Sequence, residues 1–155
     1  MAMELHVFSD RRLNTIAEWQ RAIDAEKYQL RLAGDVHFAD ASGMLPATLE
    51  GEQAGFECYH DDPMETMRFL GVSNFTHFWK YALGFRWGAS FSTLEAAWMA
   101  ATAYGAATGG VIFDHEEGKV FTVQESRALV ANFIDDRPKT KALTDEIMRR
   151  LLEKP

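Results

Sequence analysis

Two short clusters of histidine and acidic residues are the densest groups of side chains that could bind a metal ion or transfer protons. They are His60-Asp61-Asp62 and His115-Glu116-Glu117. Carboxylate oxygens suit divalent cations, and the first cluster predicts, as a minor alternative, a divalent-metal hydrolase. Adjacent residues of a strand point to opposite faces, however, so three in a row rarely converge on one ion. We therefore expect no metal site and no cofactor.

Candidates for a catalytic nucleophile are few. Cys58 is the single cysteine, and its acidic and aromatic neighbours predict a packed thiol with little thiolate character. Ser42 lies in an Ala-Ser-Gly loop rather than in a Gly-x-Ser-x-Gly turn. The glycines of residues 105–110 close a helix, so their N–H groups do not converge on a phosphate. We expect no catalytic residues and a protein that is not an enzyme.

Residues 75–87 are unusually aromatic. Read at a period of two, one face carries His77, Trp79, Tyr81, Leu83, Phe85 and Trp87. This alternation predicts a long strand with its aromatic face on the core, although residues 75–82 also fit a helix. As an alternative function, Trp79, Tyr81 and Trp87 could form a stacking floor for a small molecule.

Eight carboxylates fall in a segment with no lysine or arginine between Leu32 and Met67. They are Asp35, Asp40, Glu50, Glu52, Glu57, Asp61, Asp62 and Glu65. Such a block is a candidate docking surface for a basic protein, because complementary charge speeds association. A solvated acidic loop face is the alternative interpretation.

The net charge of the chain comes from the half of the sequence that contains this acidic segment. The 155 residues carry a net charge of −7, and residues 1–74, with 13 acidic and six basic residues, account for all of it. An acidic chain argues against nucleic acid or an anionic membrane as the main partner. A lone cysteine suits a reducing cytoplasm, and early charges such as Asp10 and Arg11 predict no signal peptide. We expect one cytoplasmic domain over residues 1–155, with its oligomeric state open.

Hydrophobic spacing places strands early in the chain and helices late. It predicts strands at 5–8, 28–32, 111–113 and 119–121, a hairpin joining 47–49 to 56–59, and helices at about 13–26 and 63–70. The pattern predicts an α+β fold, with a mixed or antiparallel sheet packed against a buried Ala-rich helix at about 93–108 and two C-terminal helices.

Two capping boxes mark the expected helix starts. Ser92 with Glu95 would open the Ala-rich helix, and Thr122 with Glu125 would open the next one. That helix is expected to break at residues 135–138, which end in a proline, before a last helix at 140–154.

Two segments show a resemblance to known proteins. The first is Gly43-Met44-Leu45-Pro46 followed by Gly51 and Gly55-Phe56-Glu57. The second is Phe85-Arg86-Trp87-Gly88, then an Ala-rich helix and Gly109-Gly110-Val111-Ile112-Phe113-Asp114. Together, over about residues 43–121, they resemble a loose group of small bacterial α+β proteins that includes immunity proteins of polymorphic toxin systems. The resemblance implies a non-enzymatic protein that binds and blocks a toxin, and it assigns no binding residue.

These observations predict an immunity-type inhibitor that docks a basic partner through the acidic segment. A toxin nuclease domain would suit this charge, because a nuclease presents a basic site to its phosphate substrate. We expect neither nucleic acid nor a membrane as a partner.

Overall fold

The computed structural model describes residues 3–34, 38, 42–88 and 90–153, without the side chains of residues 138–141, 144, 145 and 148. The helices are α1 (Ile16–Ala25), α2 (Pro63–Leu70), α3 (Phe91–Thr108) and α4 (Val123–Glu153), with a 3₁₀ turn at Val72–Asn74. The strands are β1 (Met3–Ser9), β2 (Leu30–Leu32), β3 (Gly43–Leu45), β4 (Ala47–Leu49), β5 (Glu52–Gln53), β6 (Phe56–Asp61), β7 (Tyr81–Trp87), β8 (Val111–Asp114) and β9 (Lys119–Phe121). The predicted α+β fold is confirmed.

The larger sheet has six strands in the order β3-β6-β7-β1-β8-β9, and the strand pairs are antiparallel. One face packs against α1 and α3, where Leu5, Val7, Phe85 and Trp87 join the main core. Antiparallel sheets can leave the other face to water. We call the other face of this sheet the outer face; α2 and the following loop cover the part of it that carries Phe8, Ala82 and Phe113.

The smaller sheet, in the order β2-β4-β5, corrects the predicted hairpin. Glu50 and Gly51 both have positive φ, at 51° and 85°, and Leu49 pairs with Glu52. Positive φ at both central residues makes a tight two-residue turn, so the chain reverses immediately into β5. The expected pairing of 47–49 with 56–59 is therefore wrong. β6 pairs with β3 and β7 in the larger sheet instead.

Helix α3 is the buried Ala-rich helix that the sequence predicts, but it begins differently. Its N-cap is Ser90 rather than the predicted Ser92. Glu95 does not cap the helix, because its carboxylate is 1% exposed and accepts a hydrogen bond from Arg137 Nε at 2.8 Å. A buried carboxylate needs a charged partner, and this pair joins α3 to α4.

Helix α4 runs unbroken through the predicted break, so the expectation of two C-terminal helices is wrong. Thr122 and Glu125 do form the predicted capping box, with both hydrogen bonds at 3.1 Å. A proline inside a helix costs about 3 kcal/mol. Arg137, one residue before Pro138, bridges Glu95 and Glu50, and we attribute the continuity of the helix to these ion pairs.

The aromatic stretch forms a strand only from Tyr81 onward, so the prediction of a long strand over residues 75–87 is wrong. Tyr81 pairs with Ser9, the last residue of β1, and the partner strand ends there. The preceding loop is held by Asp10, which accepts hydrogen bonds from Lys80 N at 3.1 Å and from His77 Nε2 at 2.7 Å. Among the described residues, no helix has the length and apolar character needed to cross a membrane.

Candidate functional site: the outer face of the sheet

The strand registers place polar side chains in rows across the outer face. Arg86 on β7 lies between Glu57 on β6 and Glu4 on β1. In the next row, Gly84 separates Tyr59 from His6. Because side chains alternate along a strand, these rows share one face, and the apolar residues between them point into the core.

His6 is the buried centre of this face. It is 3% exposed, and both of its ring nitrogens are hydrogen-bonded. Nε2 lies 2.7 Å from Asp61 Oδ2, and Nδ1 lies 2.8 Å from His115 Nε2. A buried imidazole must satisfy both nitrogens, so the last residue of β6, the middle of β1 and the turn after β8 are joined in one hydrogen-bonded chain.

Gly84 makes the contact between Asp61 and His6 sterically feasible. Asp61 lies on β6 and His6 on β1, and β7 runs between them. A Cβ atom at Gly84 would lie 2.8 Å from Asp61 Oδ2 and 2.9 Å from His6 Nε2. Such distances are too short for carbon, so the absence of a side chain keeps the path between the two residues clear.

Glu4 extends the chain on the other side of His6. One ligand atom from each of Glu4, His6 and His115 lies within 4.8 Å of the other two. The backbone N–H of His115 also donates to the carbonyl oxygen of Glu4 at 3.3 Å. Burial lowers the pKa of His115, and the adjacent His6 lowers it further, so the ring favours its neutral, lone-pair-bearing form.

Arg86 is the cation of the outer face. Its Nε lies 3.5 Å from Glu4 Oε1, and its guanidinium lies 5.2 Å from the centroid of the Tyr59 ring. The pKa of the Tyr59 phenol is raised, by desolvation first and then by its hydrogen bond to Glu57. Glu57 and Glu4 therefore lie near the positive charge of Arg86, which is outside the acidic segment of the sequence.

The structure describes six of the eight predicted partner-binding carboxylates and separates them. Asp35 and Asp40 lie outside the described residues. Glu50 pairs with Arg137 at 2.7 Å, and Glu52 is exposed on β5 of the smaller sheet. Glu57 and Asp61 lie on the outer face, and the remaining two, Asp62 and Glu65, begin α2.

Acidic side chains at the start of α2 and an apolar side chain near its end are both exposed. Asp62 caps the helix by accepting a hydrogen bond from Glu65 N at 2.9 Å. Phe69 follows Glu65 by one helical turn, on the same face, and it is 86% exposed. The opposite side of the helix buries Met67 against the sheet. We call Asp61, Asp62, Glu65 and Phe69 the α2 surface.

The other predicted groups do not assemble. His60 hydrogen-bonds the Phe38 carbonyl oxygen at 3.0 Å, while Asp61 contacts His6 and Asp62 caps α2, so this triplet does not converge on one point. Cys58 is buried as predicted, and burial raises the pKa of its thiol.

The expected stacking floor is also divided between two clusters. Trp87 lies in the main core, whereas Trp79 packs with Phe8 and Phe113 in the smaller cluster under α2. Tyr81 is partly exposed at the start of β7. The three rings therefore do not share a face.

Sequence reasoning missed the histidine pair because His6 and His115 are 109 residues apart. The alternation of Glu4 and His6 along one strand was a signal that these two share a face. Nothing local to either residue indicated that β8 would pair beside β1.

Comparisons with protein-family models, with curated proteins and with solved structures found no match to this chain.

Proposed function

We propose that this protein is a non-enzymatic binding protein of the immunity type, which inhibits a basic protein partner by docking it on the α2 surface. The observation that carries the proposal is the exposure of Phe69 one turn after Glu65, on a helix that Asp62 caps and Asp61 precedes. A protein interface typically combines an apolar anchor with a polar rim.

The charge of the α2 surface supports a basic partner. Among the described residues, no lysine or arginine forms an ion pair with Asp61, Asp62 or Glu65; Asp61 pairs only with His6. Arg68 is the nearest cation in the sequence, and it lies in the last turn of the helix. Unpaired carboxylates attract a cationic surface and raise the association rate.

The nature of the partner rests on the resemblance described above and on electrostatics. A toxin that acts on nucleic acid must present a basic site to phosphates, and an acidic inhibitor can cover that site. We propose that the partner is such a toxin domain, encoded by the gene next to this one.

The test measures binding of the purified product of the adjacent gene to wild-type protein and to Glu65→Lys and Phe69→Ala. Glu65 and Phe69 are preferable sites for substitution, because Asp61 hydrogen-bonds His6 and Asp62 caps α2. The matched controls are Asp135→Lys and Leu152→Ala on α4, an exposed acid and an 81% exposed leucine.

We expect Glu65→Lys and Phe69→Ala each to weaken binding by about fivefold or more, as interface anchors and complementary charges do. The two controls should bind like wild type. Equal binding by all five proteins would contradict the α2 surface as the docking site, and a complete lack of binding by wild type would contradict the proposed partner.

A further inference from the structure

The outer face carries a second property, which is independent of any protein partner. We infer that Glu4, His6 and His115 form a binding site for one divalent transition-metal ion, with Zn²⁺ as the best-suited ion. Two imidazole nitrogens and a carboxylate oxygen are a donor set that zinc commonly uses. The three donors converge to within 4.8 Å of one another.

The hydrogen bond from Asp61 fixes which nitrogen of His6 is free to bind. An ionised carboxylate only accepts hydrogen bonds, so His6 Nε2, at 2.7 Å from Asp61 Oδ2, carries the proton. The lone pair of His6 is then on Nδ1, which faces His115. Metal-binding histidines are held in this way by a carboxylate on the second ring nitrogen.

The spacing of the two nitrogens requires only a small adjustment. His6 Nδ1 and His115 Nε2 lie 2.8 Å apart. In a tetrahedral zinc site, with metal–nitrogen bonds of about 2.0–2.1 Å, two ligand nitrogens are separated by about 3.3 Å. His115 begins the turn after β8, so a shift of roughly half an ångström in its ring does not disturb a strand.

The local charge also suits a cation. Glu4, Asp61 and Glu116 are close to the two rings, and Arg86 is the opposing positive charge beside Glu4. Arg86 contacts one oxygen of the Glu4 carboxylate, and the other oxygen can bind the ion. Three protein ligands at a partly exposed site leave one coordination position for water or another small ligand.

Binding requires the His115 proton to move from Nε2 to Nδ1. In the metal-free protein His115 Nε2 donates to His6 Nδ1, because His6 Nδ1 carries no proton. After the proton has moved, the neutral His115 ring presents its Nε2 lone pair, and the ion takes the place of the hydrogen between the two nitrogens. Histidine binds a metal ion in this neutral form.

The experiment titrates the full-length protein, purified with a chelator and then freed of it, with Zn²⁺ alone and separately with Co²⁺. We expect one ion per chain, and a visible Co²⁺ absorption typical of nitrogen and oxygen ligands. His115→Gln and Glu4→Gln should each weaken Zn²⁺ binding by at least about tenfold, and Asp61→Ala by about ten- to a hundredfold, the range for a residue that orients a ligand.

His77→Gln is the matched control. His77 and Asp10 form another histidine–carboxylate pair at 2.7 Å, but it is exposed, and no second histidine of the described residues joins it. This variant should bind Zn²⁺ like wild type. Loss of binding in His77→Gln, or unchanged binding in both His115→Gln and Glu4→Gln, would place the ion elsewhere and overturn the inference.

A measurement on the wild-type protein tests the site even if the variants fail to fold. In a ¹⁵N spectrum of the histidine rings, Zn²⁺ should shift Nδ1 of His6 and Nε2 of His115 and leave His77 unchanged. Absence of saturable binding, or shifts confined to other histidines, would overturn the site. Because partner binding can be measured with and without a chelator, failure of the metal site and failure of the proposed docking are separate results.

Discussion

Asp61 reaches across strand β7 and accepts a hydrogen bond from the buried ring of His6, with 2.7 Å between Oδ2 and Nε2. Asp61 is therefore both a member of the acidic segment and the residue that fixes the orientation of His6. The α2 surface and the histidine pair meet at this carboxylate.

Replacement of Gly84 by alanine tests this relationship. The added methyl group would lie 2.8 Å from Asp61 Oδ2 and 2.9 Å from His6 Nε2, so one of the two side chains must move. We expect a loss of about 1–3 kcal/mol in the free energy of unfolding, the usual cost of overpacking, measured by urea denaturation. Gly88→Ala is the control, because a Cβ at Gly88 meets no atom of the described part of the chain within 4 Å, its sequence neighbours aside. Equal stability of the two variants would show that the contact does not depend on Gly84.

Removal of the Arg137 side chain should destabilise the protein strongly. Arg137→Met leaves the buried carboxylate of Glu95 without its cation, and breaking a buried pair in this way costs about 3–5 kcal/mol. Arg149→Met is the control: its partner Glu153 is exposed, so the loss should be below about 1 kcal/mol. Thermal or urea unfolding measures both. If both variants lost only a little free energy of unfolding, Glu95 would have another partner in Arg137→Met.

A double replacement distinguishes the stabilisation that the ion pair provides from the cost of leaving the buried Glu95 carboxylate without a partner. Glu95→Leu combined with Arg137→Met removes both charges, and replacing a whole buried pair with apolar residues is often close to neutral. We expect the double variant to be more stable than Arg137→Met alone. If it were less stable, the ion pair itself would be the main stabilising contact between α3 and α4.

The capping box at the start of α4 predicts a pH dependence. The backbone N–H and the side chain of Thr122 hydrogen-bond Glu125 and lower the pKa of its carboxyl below the ordinary value of 4.5. A lowered folded-state pKa means that this stabilisation is complete above the unfolded-state pKa and is lost as the pH falls through the lower folded-state pKa.

Thr122→Ala should raise the pKa of Glu125 toward its ordinary value, which a carboxyl-carbon NMR titration follows directly. The loss of the Thr122 cap should also cost about 1 kcal/mol at neutral pH. That difference from wild type should shrink as the pH falls below 4.5. A Glu125 pKa that Thr122→Ala leaves unchanged would show that the side chain of Thr122 does not lower it.

Local sequence patterns predicted the elements that depend on local interactions. Helix α2 was predicted from Asp62 and Pro63 at its start and Gly71 at its end, and the helix begins and ends there. The capping box of α4 was found for the same reason, since its hydrogen bonds join residues three positions apart.

Elements that depend on distant partners were not predictable in this way. The end of β1 at Ser9 determines where β7 begins, and Arg137 holds α4 against Glu95, 42 residues earlier in the chain. The same reason applies to the candidate site. The acidic residues were visible in the sequence, but Arg137 beside Glu50 and His6 beside Asp61 are contacts made by folding.

The most direct test of the proposed docking is the association rate constant with the proposed partner, the purified product of the adjacent gene, measured by stopped flow at low and at physiological salt. If the α2 surface steers a basic partner, the rate for wild type should fall steeply as salt rises. The rate for Glu65→Lys at low salt should be several-fold lower than for Asp135→Lys, which carries the same charge change on α4. Equal rates for these two variants, or a wild-type rate independent of salt, would contradict docking through the α2 surface.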